Sequence, residues 1–252
     1  MSSHVTYRDD DHTYWCGTQR YISATQVIDL YKNKFETEEQ AVKFADKHGA
    51  TPEFWEKQWD DIRTRSLVRG NRIHAAREEL TLTRGIEVHQ GRPLPVPNPA
   101  LYPEHTPLIQ MPDGVYTEQL LHHHGYRTAG RCDKVYITTD ALGTRWADVD
   151  DYKSNRLIRS RGFCYKDGSR QMMKPPIAHL EDCSMVHYTL QISEYLLMLE
   201  SMGFRAGTGR IIHFPPVLPI APPGALPPPP VIYPVAYWKK DVISMLQQLP
   251  HG

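Results

Sequence analysis

Residues 128–155, TAGRCDKVYITTDALGTRWADVDDYKSN, decide the fold of this chain. Two runs rich in β-branched and aromatic residues flank a turn near residues 140–143, which predicts two adjacent antiparallel strands. Asp133 belongs to the first strand and Asp151 to the second. Lys153 follows Asp151 by two residues, so both side chains project from one face of the sheet. The pattern predicts two carboxylates and one ammonium group converging between neighbouring strands.

Patterns on both sides of this block predict an α/β fold, a mixed central sheet flanked by helices. Upstream, a small β-hairpin is expected to end near Ile22, and Ser23 is expected to cap a helix that runs to about Phe35. Two further helices are predicted, one over residues 37–48 and one from the Thr51-Pro52 cap to about residue 80. Downstream, apolar residues at helical spacing predict a helix ending at Gly203, followed by a strand at 209–214.

Length and composition predict one domain over residues 1–252, since 40% of the residues are hydrophobic and 23% are charged. Its predicted parts are an N-terminal hairpin with helices (1–84), a loop carrying little chemistry (85–112), a catalytic core (113–214), a proline-rich loop (215–234), and a terminal strand and helix (235–252). The proline-rich loop has two readings, a stiff connector or a docking ligand for a protein partner. The connector is the favoured reading.

Charge gives only local support to a nucleic-acid partner, because the formal net charge is +0. One nearly acid-free stretch follows Lys153 and offers candidate phosphate contacts: Arg156, Arg159, Arg161, Lys166, Arg170 and Lys174. A solvated loop would have the same composition.

The lack of a recognisable targeting signal and the cysteine usage favour a cytoplasmic protein, with an organellar matrix as the less favoured location. No apolar run approaches membrane-spanning length, so no membrane association is expected. The acidic N-terminus does not resemble a signal peptide. Four cysteines lack any CxxC pair, which favours free thiols in a reducing compartment.

Four short motifs occur in a fixed order along the chain: Gly70-x-x-x-His74, Gly130-Arg131-Cys132-Asp133, Asp151-Tyr152-Lys153 and Gln191-x-x-x-Tyr195. Together they resemble the RecB-like branch of the PD-(D/E)XK nuclease superfamily, in particular its phage-type and mitochondrial-type single-domain exonucleases. The resemblance covers nearly the whole chain and implies a restriction-endonuclease-like core. It also implies that the cytoplasm is that of a bacterial or phage-infected cell.

The resemblance also implies roles for individual residues. His74, Asp133, Asp151 and the backbone carbonyl of Tyr152 would ligate Mg²⁺ or Mn²⁺, and Lys153 would orient the attacking water and stabilise transition-state charge. Gln191 and Tyr195 would support Lys153 or contact the nucleic-acid backbone. Glu118 matches an acidic position that often precedes the Gly-x-x-Asp strand in relatives. Glu78, one turn after His74, is a weaker candidate for a residue that supports the ligands. No iron–sulfur cluster is expected, because no cysteine follows Cys183.

The function expected from this resemblance is a metal-dependent DNA exonuclease acting on single strands or frayed ends. Two alternatives stay open: a structure-specific endonuclease using the same metal site, and a catalytically silent DNA-binding or partner-docking protein. Each motif has an ordinary structural explanation, such as a surface Asp–Lys pair or a satisfied helix histidine. Because the four motifs occur together in the order found in the family, it is improbable that every one of these ordinary explanations applies at once.

Overall fold

The computed structural model describes residues 4–102, 106–217 and 226–249. Its ten strands are β1 (Val5–Arg8), β2 (Thr13–Cys16), β3 (Gln19–Ser23), β4 (Ile86–His89), β5 (Arg92–Pro95), β6 (Gly114–His123), β7 (Thr128–Thr139), β8 (Arg145–Lys153), β9 (Arg205–His213) and β10 (Val231–Val235). Its five α-helices are α1 (Ala24–Tyr31), α2 (Thr37–His48), α3 (Pro52–Arg84), α4 (Ser184–Ser201) and α5 (Lys239–Leu246). The predicted α/β class, a mixed central sheet flanked by helices, is confirmed.

Eight strands form the central sheet, in the order β1-β2-β3-β7-β8-β9-β10, with β6 also paired to β7. The predicted pair at residues 128–155 is β7 and β8, antiparallel from Lys134↔Asp150 to Thr139↔Arg145. β8 and β9 run parallel, so the chain must cross over between them, and α4 lies in that connection. The apolar side of α4 packs on the sheet and completes the largest core cluster.

Local capping explains where the N-terminal helices begin and end. Ser23 and Gln26 form a capping box at the start of α1, which ends at Tyr31, four residues before the predicted Phe35. Gly49 adopts the left-handed conformation and ends α2 as predicted. α3 begins at the predicted Thr51 cap and continues to Arg84, beyond the predicted end near residue 80.

Two segments predicted to be loops contain strands. The predicted loop at 85–112 holds the hairpin β4–β5 and two short 3-10 turns, at Pro99–Leu101 and Leu108–Gln110. The last four residues of the predicted proline-rich loop, 231–234, belong to β10, so the terminal strand begins earlier than the predicted residue 235. Pro234 is compatible with a strand there because β10 lies at the edge of the sheet. Residues 218–225 of that predicted loop lie outside the described residues.

Among the described residues, none of the helices combines the length and the apolar character that crossing a membrane requires.

Candidate active site

The candidate site lies where two strands separate. β6 covers one edge of β7 along residues 128–137, so β3 and β8 share the other edge. β3 pairs with Thr128 and Ala129, and the pairing with β8 begins only at Lys134. β8 nevertheless continues to Lys153 alongside β9. Asp133, on β7, and Asp151 and Lys153, on β8, therefore border an opening in the sheet.

Three elements bring potential metal ligands together at this opening. His74 comes from α3, Glu118 from β6 and Asp133 from β7, and one ligand atom of each lies within 4.8 Å of the others. His74 Nδ1 is 2.8 Å from Asp133 Oδ1, while the Tyr152 N–H donates to Asp133 Oδ2 at 2.5 Å. Burial alone would lower the pKa of His74, but the hydrogen bond and charge of Asp133 outweigh it and raise that pKa.

Glu118 is held in an unusual backbone conformation. Its φ is +48°, in the left-handed region that non-glycine residues seldom adopt, at the position opposite Asp133 between the pairs Thr117↔Lys134 and Gln119↔Cys132. Arg131 Nε contacts its carboxylate at 2.7 Å. Burial, together with the charge of Asp133, raises the pKa of Glu118 to about 7. The strand is thus distorted at the point where this carboxylate reaches the other two ligands.

Asp151 and Lys153 form a buried ion pair, with side chains 4% and 16% exposed. Burial raises the pKa of Asp151 to about 6, although the Lys153 charge opposes this. For Lys153, burial lowers the pKa, but Asp151 and Asp133 outweigh it and keep the pKa above its ordinary value. The ammonium group therefore stays charged inside the protein.

A hydrogen-bond chain fixes the position of that ammonium group. Lys153 Nζ donates to Gln191 Oε1 at 3.0 Å, and Gln191 Nε2 donates to the Tyr195 hydroxyl at 2.9 Å. The Tyr195 hydroxyl donates to the Arg131 carbonyl at 3.2 Å, which connects α4 back to β7. Gln191 and Tyr195 are one turn apart on α4, so the Gln-x-x-x-Tyr spacing puts both on one helix face.

These side chains border a cavity of about 240 Å³. Its lining includes every residue predicted to be catalytic and the predicted histidine: His74, Glu118, Asp133, Asp151, Lys153, Gln191 and Tyr195. An adjoining cleft of about 500 Å³ shares four lining residues with this cavity and is walled by α3, with Glu78 on its surface. The site is therefore open to a substrate from the α3 side.

The arrangement of potential ligands differs from the predicted set in one respect. Glu118 joins His74 and Asp133, whereas the Asp151 carboxylate is paired with Lys153. The Tyr152 side chain packs edge-on against both Phe214 and the His74 ring, and its N–H donates to Asp133. Its carbonyl oxygen stays a predicted ligand.

The predicted phosphate-binding stretch lies outside the cavity. All six of its basic side chains are exposed, and none lines either of the two spaces described above: Arg156, Arg159, Arg161, Lys166, Arg170 and Lys174. Glu181 pairs with Arg161 at 2.6 Å and approaches Arg170 at 3.8 Å, so part of their charge is neutralised.

Two further site residues did not emerge from the sequence. Arg131 holds Glu118 and also lies over the Tyr7 ring, and the Tyr188 ring is 4.7 Å from Lys153 Nζ. Tyr188 precedes Gln191 by three residues, so helical spacing places it on the same face of α4 and provided the signal that could have found it. Arg131 lies two residues before Asp133, inside the quoted Gly-Arg-Cys-Asp motif, but nothing in the sequence assigned it a role or distinguished it from a surface arginine.

Comparisons with known proteins do not identify a family for this chain. No protein-family model matches the sequence, and no curated protein matches it. The crystal structure of SSO0001 is similar at 13% sequence identity, over 90% of this chain and 73% of that one, with a TM-score of 0.37. A likeness at that level carries no argument about fold or function.

Proposed function

We propose that this protein is a metal-dependent DNA nuclease, an exonuclease acting on single strands or frayed ends, built on a PD-(D/E)XK-type core of β6–β9 and α4. One observation carries the proposal. His74, Glu118 and Asp133 have ligand atoms within 4.8 Å of one another, beside a buried Asp151–Lys153 pair that borders the same cavity. Scattered surface residues would have no reason to converge in this way.

The donor set fits Mg²⁺ or Mn²⁺. Two carboxylates provide the oxygen ligands that these hard cations prefer, and the imidazole adds the nitrogen that Mn²⁺ tolerates. A strained Glu118 aimed at the other two ligands supports a site built for an ion, because such strain persists only where its surroundings hold it in place. A divalent cation held there would polarise a phosphoryl oxygen and reduce the charge repulsion against an attacking water.

The remaining chemistry belongs to the chain itself. Lys153 offers a fixed positive charge next to the cavity, held by Asp151 and Gln191, so no reorganisation is needed when negative charge builds on the phosphate. Asp151 is placed to accept a hydrogen bond from the attacking water. Tyr195 and Gln191 are positioning residues, since they act on the substrate only through Lys153.

End-labelled single-stranded, duplex and circular DNA, each incubated with Mg²⁺ or Mn²⁺, test the proposal. The wild type is expected to produce a ladder from one end, to leave circles intact and to stop in EDTA. Asp151→Asn is expected to slow cleavage roughly a hundredfold or more. Asp46→Asn, an exposed carboxylate on α2, is the matched control and is expected to retain full activity.

Circular dichroism confirms that both variants are folded before rates are compared. Cleavage of circular DNA would show that the enzyme is an endonuclease and would favour the structure-specific alternative over the exonuclease. Cleavage that persists undiminished in Asp151→Asn, or no cleavage by the wild type with either metal, would overturn the proposal.

A further inference from the structure

A second, larger groove lies along the opposite side of α3 from the candidate active site. Its volume is about 890 Å³. One wall is α3, and the other comes from the chain on either side of residues 218–225. Its lining includes Arg65, Val68, Arg69, Arg72, Arg77 and Phe214. α3 therefore separates two clefts, one carrying His74 and one carrying the arginines.

The groove has a one-sided charge. Four arginines and no acidic residue line it, although the whole chain has equal numbers of acidic and basic residues. Arg65, Arg69 and Arg72 follow one another at spacings of four and three, so they form a row on one helix face. Arg65 and Arg72 are exposed, and neither forms an ion pair with another residue of the described ranges. Arg69 is held by backbone carbonyls, and Arg65 Nε donates to the Asp61 carbonyl of its own helix. Arg65 and Arg72 lack a carboxylate partner among these residues, and such a pair of exposed arginines favours a polyanionic ligand.

The opposite wall is apolar. Four prolines line it, at positions 215, 227, 228 and 230, together with Val217 and the edge of Phe214. From α3, Val68 adds a side chain that is 53% exposed. A duplex keeps the faces of its bases stacked inside and exposes only base edges in its grooves. A single strand can place phosphates on the arginines and base faces on the apolar wall.

The floor of the groove is physically joined to the catalytic strand. The Arg69 guanidinium donates hydrogen bonds to the carbonyls of Ser154 and Phe214, the second at 2.8 Å. The Phe214 N–H donates to the Lys153 carbonyl at 2.7 Å. Phe214, which lines the groove, is thus hydrogen-bonded directly to the backbone of the proposed catalytic lysine.

We propose that this groove binds a single-stranded nucleic-acid segment that adjoins the cleaved phosphodiester. The inference rests on the proposed nuclease function and adds the path of the substrate. Arg65 and Arg72 lie about 10 Å apart along α3 and contact two phosphates of the strand. Arg69 and Arg77 hold the groove in shape, and the proline wall receives the bases.

Fluorescence anisotropy with a labelled oligothymidylate, in EDTA so that no cleavage occurs, tests the groove directly. Arg65→Ala/Arg72→Ala is expected to raise the Kd about tenfold and to reduce the slope of log K against log salt by roughly 1.4, the value for two lost phosphate contacts on a single strand. The matched control is Arg63→Ala/Arg205→Ala, two exposed arginines outside the groove, with an expected Kd within about twofold of wild type.

Three outcomes would overturn the inference: an unchanged Kd in Arg65→Ala/Arg72→Ala, an equal loss in the control variant, or binding of an acidic peptide that oligothymidylate cannot displace. The last would assign the groove to a protein partner. Equal affinity for blunt duplex and single strand would also contradict the role given to the apolar wall.

Kinetics separate this inference from the nuclease proposal. The groove variant is expected to raise KM for long single strands while kcat stays near the wild-type value, because Arg65 and Arg72 touch neither the cavity nor its ligands. If the groove variant is active and its KM is unchanged, the groove does not bind the substrate, whereas the nuclease proposal still stands. If the wild type binds DNA in the groove but does not cleave it, the nuclease proposal fails, whereas the assignment of the groove to single-stranded DNA still stands.

Discussion

At the scale of single residues, Gly130 shows why the Gly-x-x-Asp spacing matters physically. A Cβ built on Gly130 would lie 2.5 Å from Cε1 of the Tyr195 ring, far inside van der Waals contact. The Tyr195 hydroxyl meets both Gln191 and the Arg131 carbonyl, so the ring cannot move without breaking that hydrogen-bond chain. The absence of a side chain at 130 is therefore a condition for holding Lys153 in place.

Gly130→Ala is expected to lower the free energy of unfolding by about 1–3 kcal/mol, since overpacking a tight core forces neighbouring side chains off their preferred rotamers. It is also expected to reduce kcat for metal-dependent cleavage through displacement of Gln191 from Lys153. Urea unfolding followed by circular dichroism measures the first effect, and initial rates measure the second. Gly125→Ala, where the nearest atom is a ring carbon of the His123 side chain at 3.2 Å, is the control because it lines neither the cavity nor the adjoining cleft. Wild-type stability in Gly130→Ala would contradict this account of the ring contact.

Glu118 illustrates a residue-scale feature that sequence reasoning could not supply. Its acidic character and its position before the Gly-x-x-Asp strand made it a candidate, but its positive φ depends on how β6 and β7 meet around Asp133. Strand propensity describes averages over many sites and carries no information about one strained residue. His74 and Asp133 were predicted as ligands, whereas the place of Glu118 beside them emerged only from the structure.

At the scale of elements, regular patterns and the antiparallel pairing of β7 with β8 were predictable, whereas contacts between distant segments were not. The β7–turn–β8 unit and α4 carry strong local periodicity, and both lie close to where the sequence places them. The hairpin β4–β5 has four-residue strands with prolines at 93 and 95, a composition that is typical of loops. What makes it a hairpin is a pair of contacts with distant residues, one from Glu87 and one from His89.

The first of these contacts yields a prediction about the hairpin. Glu87 binds Lys134 through both carboxylate oxygens, at 2.7 and 2.8 Å, and the Lys134 side chain is only 6% exposed. Removing the carboxylate leaves a buried ammonium group without its counter-charge. Glu87→Leu is expected to cost about 3 kcal/mol of stability, measured by urea unfolding.

The double variant Glu87→Leu/Lys134→Met is the matched control for that pair. Because it removes both charges and keeps comparable apolar volume, it is expected to recover most of the loss. If the single and double variants are equally unstable, the hairpin depends on packing around Leu94 and Tyr136 rather than on the ion pair.

At the scale of the whole molecule, one buried acid links folding to pH. The Glu194 side chain is completely buried on α4, and neither carboxylate oxygen has a hydrogen-bond partner of normal geometry among the described residues. Burial raises the pKa of Glu194 to about 8, and the nearby Thr128 hydroxyl offsets only part of the increase. The folded protein therefore keeps this proton at neutral pH, whereas the unfolded chain releases it near the ordinary glutamate value.

The sign of the resulting pH dependence follows from proton binding. Between about pH 5 and pH 8 the folded state holds one more proton at Glu194 than the unfolded state, so stability falls as pH rises, by roughly 1 kcal/mol per pH unit. Because Glu194→Gln removes the titrating group, the stability of this variant is expected to fall less steeply with pH than that of the wild type. The variant is therefore expected to be more stable than the wild type at pH 8. Urea unfolding at pH 5.5, 6.5 and 8, with the exposed Glu38→Gln as control, measures the difference. Parallel curves for wild type and Glu194→Gln would show that Glu194 is already ionised in the folded protein, and the buried environment assigned to it would then be wrong.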